Sequence, residues 1–373
     1  MNRVYLSVIN DLVVDQRVHK AATTLAEYGA EVMLIGRRLP GSLEVAERTY
    51  QTRRFRLLFK RGFLFYACYN TRLFLFLLFV RKGVLVSNDL DTLPANFLVS
   101  RIRRLPLVYD SHEYFTEVPE LIDRPFVRKF WLRIERRLVP KVKFASTVSQ
   151  GVADEYNRLY DQNFVVIRNL PVTGVREPKR PDQLDCGPDR IIIYQGSLNP
   201  GRGIDHVIRA MVHLDNFVFQ IFGDGPVRGH LEDLTEELGV SDRVNFMGAV
   251  PFSDLRKHTR QASVGISLEE NLGKNYYYSL PNKLFDYIHA QVPVLASDLP
   301  EIKNIVESYG IGRIASSYDP GQLAAIIKDM MDDHESRAEW KKNLRKAAKE
   351  LCWEEENEKL LSLYRSAGLI IDK

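Results

Sequence analysis

Residues 279–297 read SLPNKLFDYIHAQVPVLAS, a helix signal that runs into a buried-strand signal. Asn282 stands where a helix N-cap is expected, and apolar side chains then recur at helical spacing as far as His289. A short apolar run from Val292 to Ala296 follows. A helix that leads into a short buried strand is typical of α/β folds with a parallel sheet.

The same alternation of strand-like and helical segments occurs on both sides of one break. Proline, glycine and mixed charge concentrate at residues 171–189, which indicates a linker. A chain of 373 residues also suits two cores better than one. We therefore expect two Rossmann-like, doubly wound α/β domains facing a cleft, at residues 1–170 and 190–352. A helix over residues 353–373 is expected to pack back on the first domain.

Composition places the chain among globular proteins, with 45% hydrophobic and 27% charged residues. The three cysteines, Cys68, Cys186 and Cys352, lie far apart and show neither a disulfide framework nor zinc-ligand spacing, which favours the cytoplasm. The first residues, MNRVYLSVIND, contain too short an apolar run for a secretion signal.

Residues 48–88 contain no Asp or Glu but nine Lys or Arg, interleaved with Phe and Leu. This composition predicts contact with an anionic membrane surface, peripherally on the inner face of the plasma membrane. A buried helix with solvated basic flanks is the alternative. A membrane span over residues 62–80 is a weaker one, because Asn70, Thr71 and Arg72 occupy its middle. Such a density of Phe and Leu argues against nucleic acid as the partner.

Glycine-rich turns follow three strand-like runs of the second half. In YQGSLNPGRG, residues 194–203, the turn and helix start offer backbone N–H groups to a phosphate, and Arg202 adds a planar cation. FGDGP follows the next run, and VNFMG can wall a nucleotide base. The candidate nucleotide-binding residues in these turns and at the start of the later helix are Gly196, Ser197, Gly203, Gly223, Asp224, Phe246, Met247 and Asn282.

Lys283 occupies the first turn of the helix that follows Asn282, where a cation opposes the helix dipole. A bound diphosphate would compensate that charge. Asp286, three residues on, can accept hydrogen bonds from both ribose hydroxyls. The alternative is a surface ion pair between Lys283 and Asp286.

Polar residues also end strand-like runs of the first half. Asp110, His112 and Glu113 lie in YDSHEYF, and Asp15 and Arg17 follow the first strand. We expect them to open onto the cleft. The alternatives are a structural histidine and a local Asp15–Arg17 ion pair. An Asp-x-Asp pair at residues 89–91 can hold a metal elsewhere, but here a turn is expected and no metal site is predicted.

The order of GSLNPGRG, FGDGP, VNFMGAVP and LPNKLFDYIHAQVPVLASDLPEI, over residues 191–302, resembles the donor-binding half of family 4 glycosyltransferases of the GT-B fold. The resemblance implies that Arg202 and Lys283 neutralise a leaving diphosphate. It also implies that Asp286 binds ribose and that His112 contacts the donor sugar or the leaving oxygen. The acceptor would lie on the side of Asp15, Arg17, Asp110 and Glu113. Tyr278 replaces the first Glu of the family's Glu-x7-Glu pattern, and residues 275–278 are candidates to replace its contact.

We therefore expect a retaining, metal-independent glycosyltransferase that needs no further cofactor. Its donor would be a nucleoside-diphosphate sugar, with UDP or GDP favoured. Its acceptor would be a glycan or polyprenyl-linked glycan in cell-surface polysaccharide synthesis. Retention follows from the resemblance alone. The alternatives are a sugar-nucleotide epimerase and a non-catalytic nucleotide-sugar-binding or membrane scaffold protein.

Overall fold

The computed structural model describes residues 1–13, 15–122, 124–173 and 190–371. The predicted linker, 171–189, therefore lies outside the described residues apart from its first three. The chain divides into two compact units. The first unit comprises Met1–Asn169 and Glu356–Lys373, and the second comprises Leu170–Glu355.

The first unit is built on a parallel sheet of seven strands in the order β3-β2-β1-β4-β5-β6-β7. Helices connect most of the strands. The strands are β1 (Arg3–Asp11), β2 (Glu31–Arg37), β3 (Gln51–Phe55), β4 (Val84–Asn88), β5 (Leu107–Ser111), β6 (Phe144–Thr147) and β7 (Phe164–Val166). The helices are α1 (Gln16–Glu27), α2 (Gly62–Phe79), α3 (Leu93–Arg103), α4 (Pro119–Ile122), α5 (Pro125–Leu138) and α6 (Gln150–Tyr160).

The second unit has a parallel sheet of six strands in the order β10-β9-β8-β11-β12-β13. Its strands are β8 (Arg190–Gln195), β9 (Phe217–Phe222), β10 (Val244–Gly248), β11 (Val264–Ser267), β12 (Val294–Ser297) and β13 (Gly312–Ala315). Its helices are α7 (Ile204–Ala210), α8 (Arg228–Glu237), α9 (Phe252–Gln261), α10 (Lys274–Tyr277), α11 (Asn282–Ala290), α12 (Pro300–Tyr309), α13 (Pro320–Asp332) and α14 (His334–Glu350). Helix α15 (Trp353–Ser366) follows and belongs mostly to the first unit.

The predicted α/β class is confirmed, and the apolar run from Val292 to Ala296 corresponds to β12 (Val294–Ser297). The sequence missed β3 and β13, which are edge strands. An edge strand needs little apolar surface, and β3 (QTRRF) buries only its last residue. In each sheet the strand order reverses beside the first strand, between β1 and β4 and between β8 and β11. Ligands of open α/β sheets bind at the carboxyl ends of strands at such a reversal.

Helix α2 carries the apolar part of the basic stretch. Its side chains at i, i+4 spacing, Phe65, Tyr69, Leu73 and Leu77, are buried. By length and composition it could span a membrane, and 22% of it is buried. Asn70, one of the polar residues in the middle of α2, is hydrogen-bonded within the protein. Its amide donates to Asp91 O (2.8 Å) and accepts from Ala95 N (3.2 Å). The helix is thus anchored along one face and exposes apolar side chains on the rest.

Candidate active site

A buried carboxylate lies just beyond the carboxyl end of β11. Glu269 is fully buried and accepts hydrogen bonds from Lys283 Nζ (2.6 Å) and Ser267 Oγ (2.8 Å). Arg202 Nη1 lies 3.7 Å from Oε1, the same Glu269 oxygen that Lys283 contacts. These four residues, the Glu269 cluster, join the β8–α7 loop, the end of β11 and the first turn of α11.

The Glu269 cluster holds two cations and one carboxylate. Burial would raise the pKa of Glu269, but Lys283 and Arg202 outweigh it and hold the pKa below its ordinary value. Lys283 Nζ lies 4.3 Å from the ring centre of Tyr194, and the Arg202 guanidinium carbon lies 4.6 Å from that of Tyr276. The side chain of Arg202 is 24% exposed. The cluster therefore has an excess positive charge that an anion can reach.

One expectation and one alternative for α11 are wrong. Asn282 is the first helical residue, Pro281 precedes it at the cap position, and no side chain caps this end. Lys283 is buried and pairs with Glu269, so it forms no surface pair with Asp286. Glu269 also compensates the charge of Lys283 in the first turn, so a bound diphosphate is not needed to explain that lysine.

Asp286 lies one turn further along α11, beside the end of β8. Its Oδ2 accepts a hydrogen bond from Gln195 Nε2 (2.9 Å), and Gln195 Oε1 in turn accepts one from Thr259 Oγ1 (2.7 Å). This chain fixes the Asp286 side chain, which is half-buried, close to the β8–α7 loop.

The loops after β8 and β9 approach each other and β11 through glycines. A Cβ on Gly223, at φ 132°, would lie 1.9 Å from the carbonyl oxygen of Gly196. A Cβ on Gly203, at φ 68°, would lie 2.2 Å from Leu268 O. Only glycine permits these approaches. Gly196 and Ser197 are exposed on the same loops.

The remaining donor-side residues lie on the neighbouring strand ends. Asp224 is exposed, and its Oδ1 accepts a hydrogen bond from Gly225 N (2.8 Å). On β10, Phe246 packs against the apolar core, whereas Met247 is 41% exposed. Of this pair, Met247 therefore offers more side-chain surface to a ligand.

A second cluster lies at the carboxyl ends of β4 and β5 in the first unit. His112 Nε2 lies 2.9 Å from Asp110 Oδ2, and its Nδ1 lies 3.4 Å from Asp89 Oδ2. The His112 backbone N–H donates to Asp89 Oδ1 (2.7 Å). Arg17 donates two hydrogen bonds to Asp110, from Nη2 to Oδ1 (2.9 Å) and from Nε to Oδ2 (3.4 Å). We call Asp89, Asp110, His112 and Arg17 the His112 cluster.

The His112 cluster keeps its imidazole protonated. Burial alone would lower the pKa of His112, but Asp89 and Asp110 raise it to about 9. For Asp110, burial alone would raise the pKa, but the positive charges of Arg17 and His112 hold it well below its ordinary value. Asp89 adopts φ 62°, a left-handed conformation that aims its carboxylate back at His112.

The other acceptor-side residues differ in their surroundings. Asp15 caps α1 by accepting a hydrogen bond from Val18 N (3.1 Å), and Arg17 pairs with Asp110. The alternative of a local ion pair between Asp15 and Arg17 is therefore wrong. Glu113 is exposed.

Among the described residues, Asp205, His206 and Glu270 bring metal-ligand atoms within 4.8 Å of one another, a grouping the sequence did not predict.

Sequence reasoning missed Glu269 and Asp89 as partners of the predicted residues. Glu269 follows directly on the run 264–268, and Asp89 follows directly on the end of β4. A search for acidic residues at the carboxyl ends of predicted strands would have found both.

Comparisons with known proteins agree with this architecture. The model of the family described as glycosyl transferases group 1 matches residues 175–347. An α-D-kanosaminyltransferase of Streptomyces kanamyceticus is 23% identical over 291 residues, covering 73% of this chain and 74% of that protein. The lipopolysaccharide core biosynthesis glycosyltransferase LpsD of Rhizobium meliloti is 40% identical, but only over 38% of this chain and 39% of its own.

A solved structure extends the likeness of the fold to nearly the whole chain. HepE of Anabaena, in complex with UDP and glucose, superposes with a TM-score of 0.75 at 15% identity, over 99% of this chain and 98% of that one. At this identity the likeness establishes the fold alone. The chain therefore has the GT-B fold and is a glycosyltransferase, and its residues 175–347 match the family described as glycosyl transferases group 1.

Proposed function

We propose that the enzyme transfers a sugar from a nucleoside-diphosphate sugar to a glycan or lipid-linked acceptor, with retention of configuration and without a metal. The observation that carries the proposal is the Glu269 cluster. When the donor bond breaks, negative charge accumulates on the leaving diphosphate. Arg202 and Lys283, held in position by Glu269, would stabilise that charge without moving. Retention rests on the family resemblance.

Other residues have distinct proposed roles. The glycine-rich loops at Gly196, Gly203 and Gly223 allow the backbone to approach a diphosphate. Asp286, oriented by Gln195, would accept the ribose hydroxyls. His112, protonated at neutral pH, would exchange its longer contact, from Nδ1 to Asp89 (3.4 Å), for a hydrogen bond to an oxygen of the donor sugar or of the leaving group.

UDP is the preferred donor nucleotide of this proposal, because group 1 glycosyltransferases use nucleotide sugars and HepE was solved with UDP. LpsD suggests a glycan of the cell surface as the product. The kanosaminyltransferase, a relative of comparable length, is named for kanosamine, whereas HepE was solved with glucose. Tyr278 also replaces the Glu expected near the donor sugar. For these two reasons the proposal does not specify the sugar.

We further propose that the enzyme works at the cytoplasmic surface of the plasma membrane. Apolar side chains of α2 and the segment before it are exposed, namely Leu58, Phe59, Phe63, Leu64, Leu75 and Phe79. They lie within the stretch that carries nine Lys or Arg and no acidic residue. This combination favours adsorption to anionic lipid.

The test of donor binding is thermal stabilisation by UDP, GDP, ADP and CMP, with EDTA present. We expect a rise in Tm with UDP that is lost in Arg202→Met and kept in Arg209→Met, an exposed arginine on α7. Arg202 is chosen over Lys283 because it is partly exposed and its loss leaves Glu269 paired with Lys283. Absence of a shift with every nucleotide would remove the donor proposal.

Turnover separates the proposed reaction from its alternatives. An epimerase would convert the UDP-sugar alone into a second UDP-sugar, and a scaffold protein would bind UDP without releasing it from the donor. A transferase releases UDP faster when acceptor is added. EDTA should leave that rate unchanged, and a metal-dependent rate would redirect attention to Asp205, His206 and Glu270.

A further inference from the structure

A large aromatic cavity lies in the first unit, between α2 and α5. Its volume is about 930 Å³, at the upper end of the range for ligand pockets. Its walls include Phe63 and Tyr66 of α2 and Phe126 and Trp131 of α5. The ring centres of Tyr66 and Trp131 lie 5.1 Å apart, and those of Phe63 and Phe130 lie 5.9 Å apart. Packed rings of this kind suit an apolar ligand.

A second cavity, of about 340 Å³, shares Arg37 and Phe65 with the aromatic one. Arg38, Arg56 and Lys60 also line it, and no acidic side chain is among its described lining residues. Arg38 is paired with Glu44, which lies outside the lining. We call this the cationic cavity. Its charge suits a phosphate group.

Two buried polar atoms mark the aromatic cavity as a place for a polar contact. Arg37 Nε and Asp91 Oδ1 are buried without a hydrogen-bond partner among the described residues. The Arg37 guanidinium carbon lies 4.7 Å from the ring centre of Phe65, which fixes the group at the boundary of the two cavities. A buried donor without a partner is costly, so a ligand that supplies an acceptor there gains affinity.

Asp91 does not oppose an anion at this boundary. Burial, followed by the neighbouring carboxylates of Asp89 and Glu113, raises the pKa of Asp91 well above its ordinary value and favours the uncharged form. An uncharged carboxyl donates a hydrogen bond to a phosphate or sugar oxygen. Both polar groups at the boundary are thus compatible with the same ligand.

We propose that these joined cavities bind the acceptor as a lipid-linked sugar, with the hydrocarbon chain between α2 and α5 and its phosphate at Arg37. The inference rests on the proposed glycosyl transfer and names the class of acceptor. Both halves of such a ligand have a matching surface, aromatic for the chain and cationic for the phosphate. Asn10, Asp91 and Glu113, at the carboxyl ends of β1, β4 and β5, also line the aromatic cavity, so the sugar would lie at that edge of the sheet.

The exposed apolar surface around the cavity explains how a membrane lipid would reach it. Phe63 is 67% exposed and Phe126 is 86% exposed, and both line the cavity. The apolar surface of α2 is therefore continuous with the cavity wall. This continuity would let a hydrocarbon chain pass from a bilayer into the cavity.

The experiment uses 12-bromododecyl phosphate as the probe, below its micelle concentration, and the full-length protein. The bromine quenches tryptophan emission on contact. Trp131 lines the cavity, whereas Trp340 and Trp353 belong to the second unit. We expect saturable quenching that is absent in Trp131→Phe. Dodecyl phosphate should compete, and inorganic phosphate should compete at least about a hundredfold less well, since each buried methylene adds affinity.

Paired variants locate the two halves of the site. Arg37→Met should weaken probe binding about tenfold or more, because a charge-assisted hydrogen bond is lost, and Arg81→Met, which lines neither cavity, should not. Phe126→Gln should weaken it about three- to tenfold. Phe79→Gln is the matched control, since Phe79 is also 86% exposed but lines neither cavity.

Three outcomes would overturn the inference. Quenching that persists in Trp131→Phe would place the chain elsewhere. Equal weakening by Phe79→Gln and Phe126→Gln would reveal adsorption to the surface. Equal affinity for 12-bromododecanol would exclude a phosphate contact at Arg37. The UDP-induced rise in Tm is measured on the same variants, and it depends on Arg202 in the second unit. Failure of the wild-type protein to bind the probe, with UDP binding intact, refutes only this inference, and failure to bind UDP, with probe binding intact, refutes only the donor proposal.

Discussion

The Glu269 cluster and the His112 cluster occupy equivalent sheet ends in their units but differ in charge balance. In the His112 cluster, two carboxylates face Arg17 and a protonated imidazole. In the Glu269 cluster, one carboxylate faces Lys283 and Arg202. The first cluster is neutralised from within and holds an imidazole in a fixed orientation. The second keeps positive charge that an anionic ligand can use.

The difference teaches that a buried carboxylate can serve two purposes at the same edge of a fold. Asp110, together with Asp89, neutralises Arg17 and His112. Glu269 positions Lys283 and Arg202 but neutralises only one of their two charges. Variants that remove one partner therefore have different consequences in the two clusters, and the first three predictions use this difference.

The largest effect is expected from Lys283→Met. Turnover should fall about 10²–10³-fold, because one stabilising cation is lost. The free energy of unfolding should also fall by about 3–5 kcal/mol, because Glu269 loses its closest partner while fully buried. Release of UDP from a UDP-sugar and urea denaturation measure the two effects.

The double variant Lys283→Met with Glu269→Gln separates the loss of turnover from the loss of stability. Removing the buried charge should restore most of the stability, while turnover stays low. Recovery of turnover together with stability would mean that Lys283 serves folding only, and the contrast between the clusters would disappear.

The next largest effect is expected from Asp110→Asn in the balanced cluster. Arg17 and His112 would lose their shared carboxylate while remaining mostly buried, which should lower the free energy of unfolding by about 3–5 kcal/mol. Ser146→Ala is the matched control, since it removes only one hydrogen bond to Asp110 (2.9 Å) and should cost about 1 kcal/mol. Equal losses in the two variants would show that the charge balance is unimportant.

The His112 cluster should also make stability depend on pH. The folded pKa of His112, about 9, lies above the ordinary 6.5, so its contribution is complete below about pH 6.5 and is lost as pH rises through about 9. The contribution is at most about 3 kcal/mol. Urea denaturation between these pH values should show a decline in wild type that is reduced in His112→Gln. The same decline in both proteins would assign it to another group.

The smallest effects concern the glycine-rich loops of the second unit. Gly223→Ala places a Cβ against Gly196 O in a left-handed conformation and should lower the free energy of unfolding by about 1–3 kcal/mol. Gly229→Ala lies in α8, where an added Cβ meets nothing within 4 Å, and should raise it by about 0.5–1 kcal/mol. Thermal denaturation of both variants, with and without UDP, distinguishes loop strain from a general effect of glycine removal.

Much of the fold was predictable because its signals are local. Buried parallel strands appear as short apolar runs, and helices show their own period, so the α/β class and the positions of the central strands follow from the sequence. Edge strand β3 escaped because exposed arginine and glutamine carry no apolar run. The cap expected at Asn282 failed because Pro281 already supplies the extended conformation that precedes a helix.

The sequence by itself determined the fold class, the glycine-rich loops and the cationic residues Arg202 and Lys283, because each depends on neighbours in the chain. Only the tertiary structure decided which charges meet. Lys283 and Glu269 lie 14 residues apart, and Arg17 and Asp110 lie 93 apart. Parallel strands bring their carboxyl ends to one edge whatever their separation in the chain, so the partner of a buried charge is set by strand order.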